Sequence, residues 1–263
     1  MIDFKKLRRL LKNKKFFYPI LLSYKSLRAL ERAKNIFDLP WYFRDVFVFS
    51  RLSRKNKRLV FNLADIYPCL NDKTSYTPIE PIYFYQDTWA ARKIFEIKPK
   101  LLVDIASSVK TMSIISQYLP VLFVDIRPPE RVKLKNLTFV RASATELPFK
   151  NNSIECISSL CVLEHIGLGR YGDKLDPFGT EKAIEEINRI TKNGGFAIVS
   201  VPVYRENVVF FNTHRTFTRS YIIELFHSFD LLEEKYIYDE IFDEFIPEKG
   251  LGTGLFLFRK SKK

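Results

Sequence analysis

The chain has 263 residues, 46% of them hydrophobic, which suits one large domain carrying an extension. Its net charge of +13 is concentrated: residues 1–60 hold 17 Lys and Arg against 4 Asp and Glu, and the remainder is balanced. No apolar run reaches spanning length, Met1 to Lys6 leads into more charge rather than a secretory leader, and the three cysteines lack metal spacing. A reduced, cytoplasmic protein is therefore expected, either free or peripheral at the inner face of a membrane.

Residues 1–60 read as a basic amphipathic helical extension. Phe4, Leu7, Leu10 and Leu11 recur at helical spacing among Lys and Arg. Pro19 breaks that pattern, and a second helix is predicted from Ile20 to about Phe37. The stretches Pro40-Trp41-Tyr42-Phe43 and Val46-Phe47-Val48-Phe49 are strongly aromatic, and residues 51–58 are basic again. Cations among aromatics suit an anionic membrane surface. They also suit nucleic acid, the lesser reading, or plain packing of an apolar stripe.

Residues 61–98 read as a linker and a covering helix. Asn62 to Pro81 is irregular, with Pro68, Pro78 and Pro81. Ile82 to Ile97 is predicted helical and, lying just before the first strand, is placed to fold over a cofactor pocket.

Residues 99–263 carry the main domain. Leu101 to Ile105 is a short apolar run containing Asp104, as expected of a strand buried on both faces. The small residues Ala106, Ser107 and Ser108 would let backbone approach a ligand. Val109 to Tyr118 has helical spacing at Met112, Ile115 and Leu119, and Val121 to Asp125 is a second buried strand ending in an acid. Strand, tight turn, helix and acid-terminated strand make a nucleotide-binding half, with the acid able to hold ribose hydroxyls. The loop is not G-x-G-x-x-G, which argues against a dinucleotide. S-adenosyl-L-methionine, without a phosphate, asks less of it.

A third strand follows at Leu137 to Val140, a loop at Ala142 to Phe149, and a fourth strand at Ile154 to Leu160. A helix carries Ala183, Ile184, Ile187 and Ile190 on one face, and Asn193-Gly194-Gly195 is predicted to close it. Phe196 to Val203 is a fifth strand, Ser220 to Phe226 a short helix, and Leu231 to Tyr238 and Leu255 to Arg259 the last two strands. The predicted fold class is α/β: a Rossmann-like, seven-stranded, mostly parallel sheet with helices on both faces.

Leu102-Val103-Asp104, Val124-Asp125, Ala144 through Phe149, Leu163-Glu164-His165 and Lys192-Asn193-Gly194-Gly195 stand in this order. As an ordered set they resemble class I S-adenosylmethionine-dependent methyltransferases over about Ile82 to Lys260. His165 through Asp173, Asp176-Pro177 and Phe211-Asn212-Thr213-His214-Arg215 resemble, more narrowly, a bacterial methyltransferase-like family of unknown function associated with surface-polysaccharide synthesis. The resemblance implies a cofactor, S-adenosyl-L-methionine, and an O-methyltransferase acting on a sugar or glycolipid acceptor. It departs at Ala106, where the family carries glycine, and at Ser143, where an acid often meets the adenine amine.

On this reading Asp104 organises the first loop and faces the methionine amino group, with Ala106 and Ser107 beside it. Asp125 accepts from the ribose hydroxyls. Ser143, Ala144 and Thr145 line the adenine, and Leu160 and Cys161 lie under the sulfonium. His165 is the candidate base, since imidazole suits a hydroxyl at neutral pH. Arg170, Tyr171 and Asp173 form a sugar-binding loop, and His214 and Arg215 meet an acceptor's phosphate or carboxylate. No metal cluster, P-loop or nucleophile elbow is visible. Two rivals stand beside this reading. An RNA methyltransferase would explain the basic extension, although Ser159-Leu160-Cys161-Val162 is not the Asn/Asp-Pro-Pro-aromatic run used for base amino groups. A non-catalytic scaffold that has lost its cofactor would explain Ala106.

Overall fold

The computed structural model describes residues 39–54, 58–70 and 72–262; the helices predicted at Phe4 to Leu11 and Ile20 to Phe37 lie outside them. The chain divides into two compact units, residues 1–78 and 79–263. In the first, a helix α1 spans residues 39–53. Phe43, Phe47, Phe49 and Leu52 stand exposed along it, beside Arg44, Arg51 and Arg54. The Arg51 guanidinium lies 4.4 Å from the Phe47 ring centre. A single helical turn at Leu63–Asp65 follows, started by Asn62, whose side chain accepts from the Ala64 amide at 2.9 Å.

The second unit holds the sheet. Its helices are α2 (Pro81–Ile97), α3 (Val109–Ile115), α4 (Gly179–Ile190) and α5 (Arg219–Leu225). Its strands are β1 (Leu102–Ile105), β2 (Val121–Asp125), β3 (Leu137–Arg141), β4 (Ile154–Leu160), β5 (Thr191–Val203), β6 (Val208–Phe210), β7 (His214–Thr216), β8 (Phe229–Tyr238), β9 (Glu240–Phe242) and β10 (Gly252–Lys260). Eight strands make one sheet in the order β3-β2-β1-β4-β5-β10-β8-β9, and β6 and β7 form a separate hairpin. Strands β1 to β5 pair in parallel, whereas β10 runs antiparallel to both β5 and β8. Strand order reverses between β1 and β4, so a crevice opens beyond their C-terminal ends.

Local chemistry explains the helix ends. Pro81 occupies the first position of α2, where its missing N–H costs nothing, and Lys98 closes it in a left-handed conformation. Ser108 and Thr218 cap α3 and α5 by accepting from the amides of Thr111 and Tyr221. The period of two in the strands splits the core. Val103, Ile105, Ile157 and Val199 face α4 and α5, while Leu102, Cys156, Leu160 and Ile198 face α2 and α3. Trp89, Ala90 and Ile94 bury one stripe of α2 in the second layer, at roughly 1.5–3 kcal/mol for each large side chain.

Three expectations are corrected. The sheet has eight strands rather than seven, because β9 adds a short edge. Helix α3 stops at Ile115, and Ser116 to Leu119 close it as a turn. Asn193-Gly194-Gly195 does not close α4: Thr191, already extended, follows Ile190, and the glycines form a bulge inside β5. Gly194 has φ +76°, which that bulge requires.

Candidate functional site

The crevice is built first from the β1 turn. The buried carboxylate of Asp104 accepts from the Ser107 amide at 3.0 Å and from Ser158 Oγ at 2.5 Å. Burial outweighs those bonds and pushes its pKa up to about 6. Ser107 Oγ in turn accepts from the Leu160 amide at 2.9 Å, stitching the β1 turn to the end of β4. Asp104, Ser107 and Leu160 therefore shape the crevice from behind its wall and line neither of its cavities. Ala106 does line it, and its φ is +53°, the conformation for which glycine would be the unstrained residue.

Two cavities meet at the end of β4. The smaller, of about 220 Å³, is walled by Ala106, Asp125, Ala142, Ser143 and Ala144 on one side and by Cys161, His165, Tyr171 and Asp173 on the other. Asp125 Oδ1 accepts from the Arg127 amide at 2.6 Å, so Oδ2 is the oxygen left for a ligand hydroxyl. Ser143 Oγ pairs with Thr145 Oγ1 at 2.8 Å, which turns Thr145 away from the lining while Ala144 stays in it.

Of the loop residues expected to bind sugar, Tyr171 and Asp173 line the cavity of Asp125, while Arg170 lines the larger one. Their placement follows from the glycine-rich loop: the Asp173 carboxylate accepts from the amides of Gly167, Gly169 and Tyr171 at 2.7, 3.2 and 3.2 Å and folds the loop around itself. Gly167 has φ +83°, and a Cβ there would collide with the Asp176 carbonyl. The Tyr171 ring takes the guanidinium groups of Arg127 and Arg170 at 4.7 and 5.1 Å.

The larger cavity, of about 560 Å³, lies beyond Cys161 and His165, which line both. Tyr83 and Glu80 reach it from α2 and the residue before it, Glu164 and Arg170 from the β4 side, His214 from β7, and Tyr238, Asp239 and Lys249 from the β8–β10 side. His165 Nδ1 lies 2.7 Å from the Thr213 carbonyl oxygen. A carbonyl only accepts, so neutral His165 carries its hydrogen on Nδ1 and leaves the Nε2 lone pair free. Burial lowers its pKa to about 4. His214 also lines this cavity; its Nε2 is buried without a hydrogen-bond partner, and burial lowers its pKa.

Arg215 does not meet the cavity. It is buried and donates to the carbonyls of Ile166, Asp176 and Pro177 at 2.6, 3.2 and 3.2 Å and to Thr180 Oγ1 at 3.3 Å. It braces the β4–α4 loop instead of binding an acceptor. Among the described residues, no three His, Cys, Asp or Glu side chains gather as for a metal ion.

Two residues of the site escaped sequence reasoning. Gln86 is buried on α2, and its Oε1 accepts from Cys161 Sγ at 2.9 Å and Ser200 Oγ at 2.6 Å. It ties the covering helix to the ends of β4 and β5, and Cys161, at φ +51°, is held as a thiol whose pKa burial pushes well up. Glu164 is 2% exposed, and its Oε2 has no hydrogen-bond partner. Burial pushes its pKa up to about 8. The signal for Glu164 was present: a carboxylate sits between Leu163 and His165 directly after an apolar strand.

Comparison with known proteins gives three findings. A family model described as "Caenorhabditis protein of unknown function, DUF268" matches residues 123–240. A search of curated proteins returned no match. Among solved structures, a putative sarcosine dimethylglycine methyltransferase from Galdieria sulphuraria is similar at 14% identity and TM-score 0.51, over 68% of this chain and 86% of that one. Geranyl diphosphate C-methyltransferase from Streptomyces coelicolor A3(2), solved with S-adenosyl-L-homocysteine, is similar at 8% identity and TM-score 0.50, over 66% and 77%. At these identities the likeness concerns the fold, which is methyltransferase-like.

Proposed function

We propose that this chain transfers the methyl group of S-adenosyl-L-methionine to a sugar hydroxyl of a surface polysaccharide or its lipid-linked precursor. The observation that carries the reading is the pair of cavities sharing Cys161 and His165 at the reversal point of the sheet. Bound there, the cofactor supplies an activated methyl group. The residues fit it: Asp125 Oδ2 is available to ribose hydroxyls, and Ala106, Ala142 and Ala144 leave a smooth wall for a flat base. The larger cavity is within the usual range for ligand pockets, and Tyr83 and Tyr238 among Arg170, Asp239 and Lys249 suit the mixed faces of a saccharide. Residues 1–60 would hold the enzyme at an anionic membrane surface, close to a lipid-linked acceptor; the exposed Phe43 and Phe47 beside Arg44 and Arg51 support this. No described helix is long and apolar enough to cross a membrane.

In such a transfer the chain mainly holds acceptor and cofactor in line and excludes water. Gln86 and the α2 helix close the crevice over Cys161. Calorimetry with S-adenosyl-L-homocysteine, then transfer of radiolabelled methyl from S-adenosyl-L-methionine to a panel of hexoses and nucleotide sugars, tests the reading. Binding followed by labelling of a sugar is expected. Absence of binding would favour a scaffold that has lost its cofactor.

A further inference from the structure

Glu164 is a carboxyl group in an unusual position. It follows β4 in the turn Leu163–His165, is 2% exposed, and lines the larger cavity where that cavity meets the smaller one. Its Oε2 is buried with no partner, and Oε1 lies 3.7 Å from His165 Nε2, beyond a hydrogen bond. The Glu164 amide and the Cys161 thiol are the group's hydrogen-bonding neighbours, but a buried carboxyl oxygen left without a partner is costly, and such atoms persist where a ligand completes them. His165, the residue sequence reasoning favours as base, is pinned through Nδ1 to Thr213 and desolvated, which makes it a weak base.

Resting on the methyl-transfer reading, we propose that Glu164, rather than His165, binds the acceptor hydroxyl and takes its proton. The hydroxyl oxygen bonds to the methyl carbon while the carbon–sulfur bond breaks and its electron pair stays on sulfur. The hydroxyl proton passes to Glu164 Oε2, turning carboxylate into carboxylic acid, which then releases it to solvent. His165 is a positioning residue that fixes the wall between the cavities. The groups facing Glu164 are the Cys161 thiol just after β4, Tyr83 from α2, His165 beside it and Arg170 across the loop. His214, Glu80, Asp239 and Lys249 line the same cavity. Only the ionised fraction of Glu164 takes the proton, and burial holds its pKa near 8, so transfer should speed up as pH rises through that value.

Infrared difference spectroscopy of the full chain with S-adenosyl-L-homocysteine reads the group without an acceptor. At pH 7, where Asp104 is largely ionised, one protonated-carboxyl stretch is expected that fades as pH rises through about 8 and is missing in Glu164→Gln. Glu164→Gln should bind S-adenosyl-L-homocysteine within about twofold of the parent, which also shows that it folds. On any sugar of the hexose panel that the parent methylates, it should lose roughly 10²- to 10⁴-fold in kcat together with the pH slope, while Glu164→Asp recovers part of both. His165→Gln should keep the slope. The proposal fails if no protonated carboxyl is seen at pH 7, if Glu164→Gln transfers methyl at the parent rate, or if His165→Gln alone abolishes the slope. A parent protein that does not bind S-adenosyl-L-homocysteine overturns the methyl-transfer reading itself, and this assignment with it.

Discussion

The Nδ1 of His165 meets the carbonyl oxygen of Thr213 at 2.7 Å across 48 residues of sequence. This bond joins the end of β4 to the turn of the β6–β7 hairpin. Arg170 donates to the same carbonyl at 3.0 Å. Two side chains of the site are thereby positioned by a hairpin whose strands have three residues each.

Asp125→Ala should weaken S-adenosyl-L-homocysteine binding by about 1.5–3 kcal/mol, the range for hydrogen bonds to a charged group. The residue is only half-buried, so the fold should survive. Calorimetry giving an unchanged Kd would refute the ribose assignment.

Ala106→Gly should be neutral or stabilising by up to about 1 kcal/mol. Relief of the left-handed strain at φ +53° is partly offset by the greater freedom of glycine in the unfolded chain. Cofactor affinity should stay the same or tighten. Ala106→Val should do the opposite, because a branched side chain tolerates that conformation poorly. Denaturant midpoints and calorimetry on both variants decide the matter.

Arg215→Ala should lower stability by roughly 2–4 kcal/mol, since three carbonyls and Thr180 Oγ1 lose a charged donor in a buried setting. Were Arg215 an acceptor ligand instead, the denaturation midpoint would hold and only KM would rise.

Stability should fall by roughly 1–2 kcal/mol as pH rises from 6.5 to 8. Glu164 holds its proton up to about pH 8 in the folded chain but only to about 4.5 when unfolded. The folded state therefore binds more protons across this window, and the stabilisation is lost as pH climbs through 8. His165, lowered to about 4, acts oppositely, but mostly below 6.5 and with only a small remainder above it, and Asp104 is largely ionised by then. Glu164→Gln should flatten the slope in urea titrations at several pH values; an unaltered slope would place its origin elsewhere.

Much of the sheet was legible because β1, β2, β4 and β5 are apolar runs that can only be buried. The hairpin and β9 were not, since strands of three residues carry too little alternation to stand out. Asp125, Ser143 and Ala144, expected from the strand–loop pattern to lie together, do share a cavity. Arg215 misled because a cation beside His214 reads as a ligand contact until its carbonyl partners are seen. Asp173 lines the smaller cavity while folding its own backbone around itself, and in sequence a loop carboxylate with that local task looks the same as one whose only partner is a ligand.

The exposed face of α1 should govern attachment to vesicles. With Phe43→Ser and Phe47→Ser in the full chain, sedimentation with anionic liposomes at low salt should drop severalfold, and the parent should be released by high salt as exposed charges are screened. If the parent ignores such liposomes but binds RNA tightly, the basic extension serves nucleic acid instead.

The position of β10 has a consequence for biogenesis. It is the last described strand in sequence, yet it lies between β5 and β8, paired to each along most of its length. As the chain emerges N-terminus first, β1 to β5 can assemble, but β8 has no neighbour on the β5 side until Gly252 to Lys260 has been made. Two unpaired edges must wait, and each is a template for pairing with another nascent copy. Chaperone dependence, and aggregation of chains truncated before Gly252, should therefore concentrate in the interval between completion of β8 and emergence of β10, while the sheet is still two pieces.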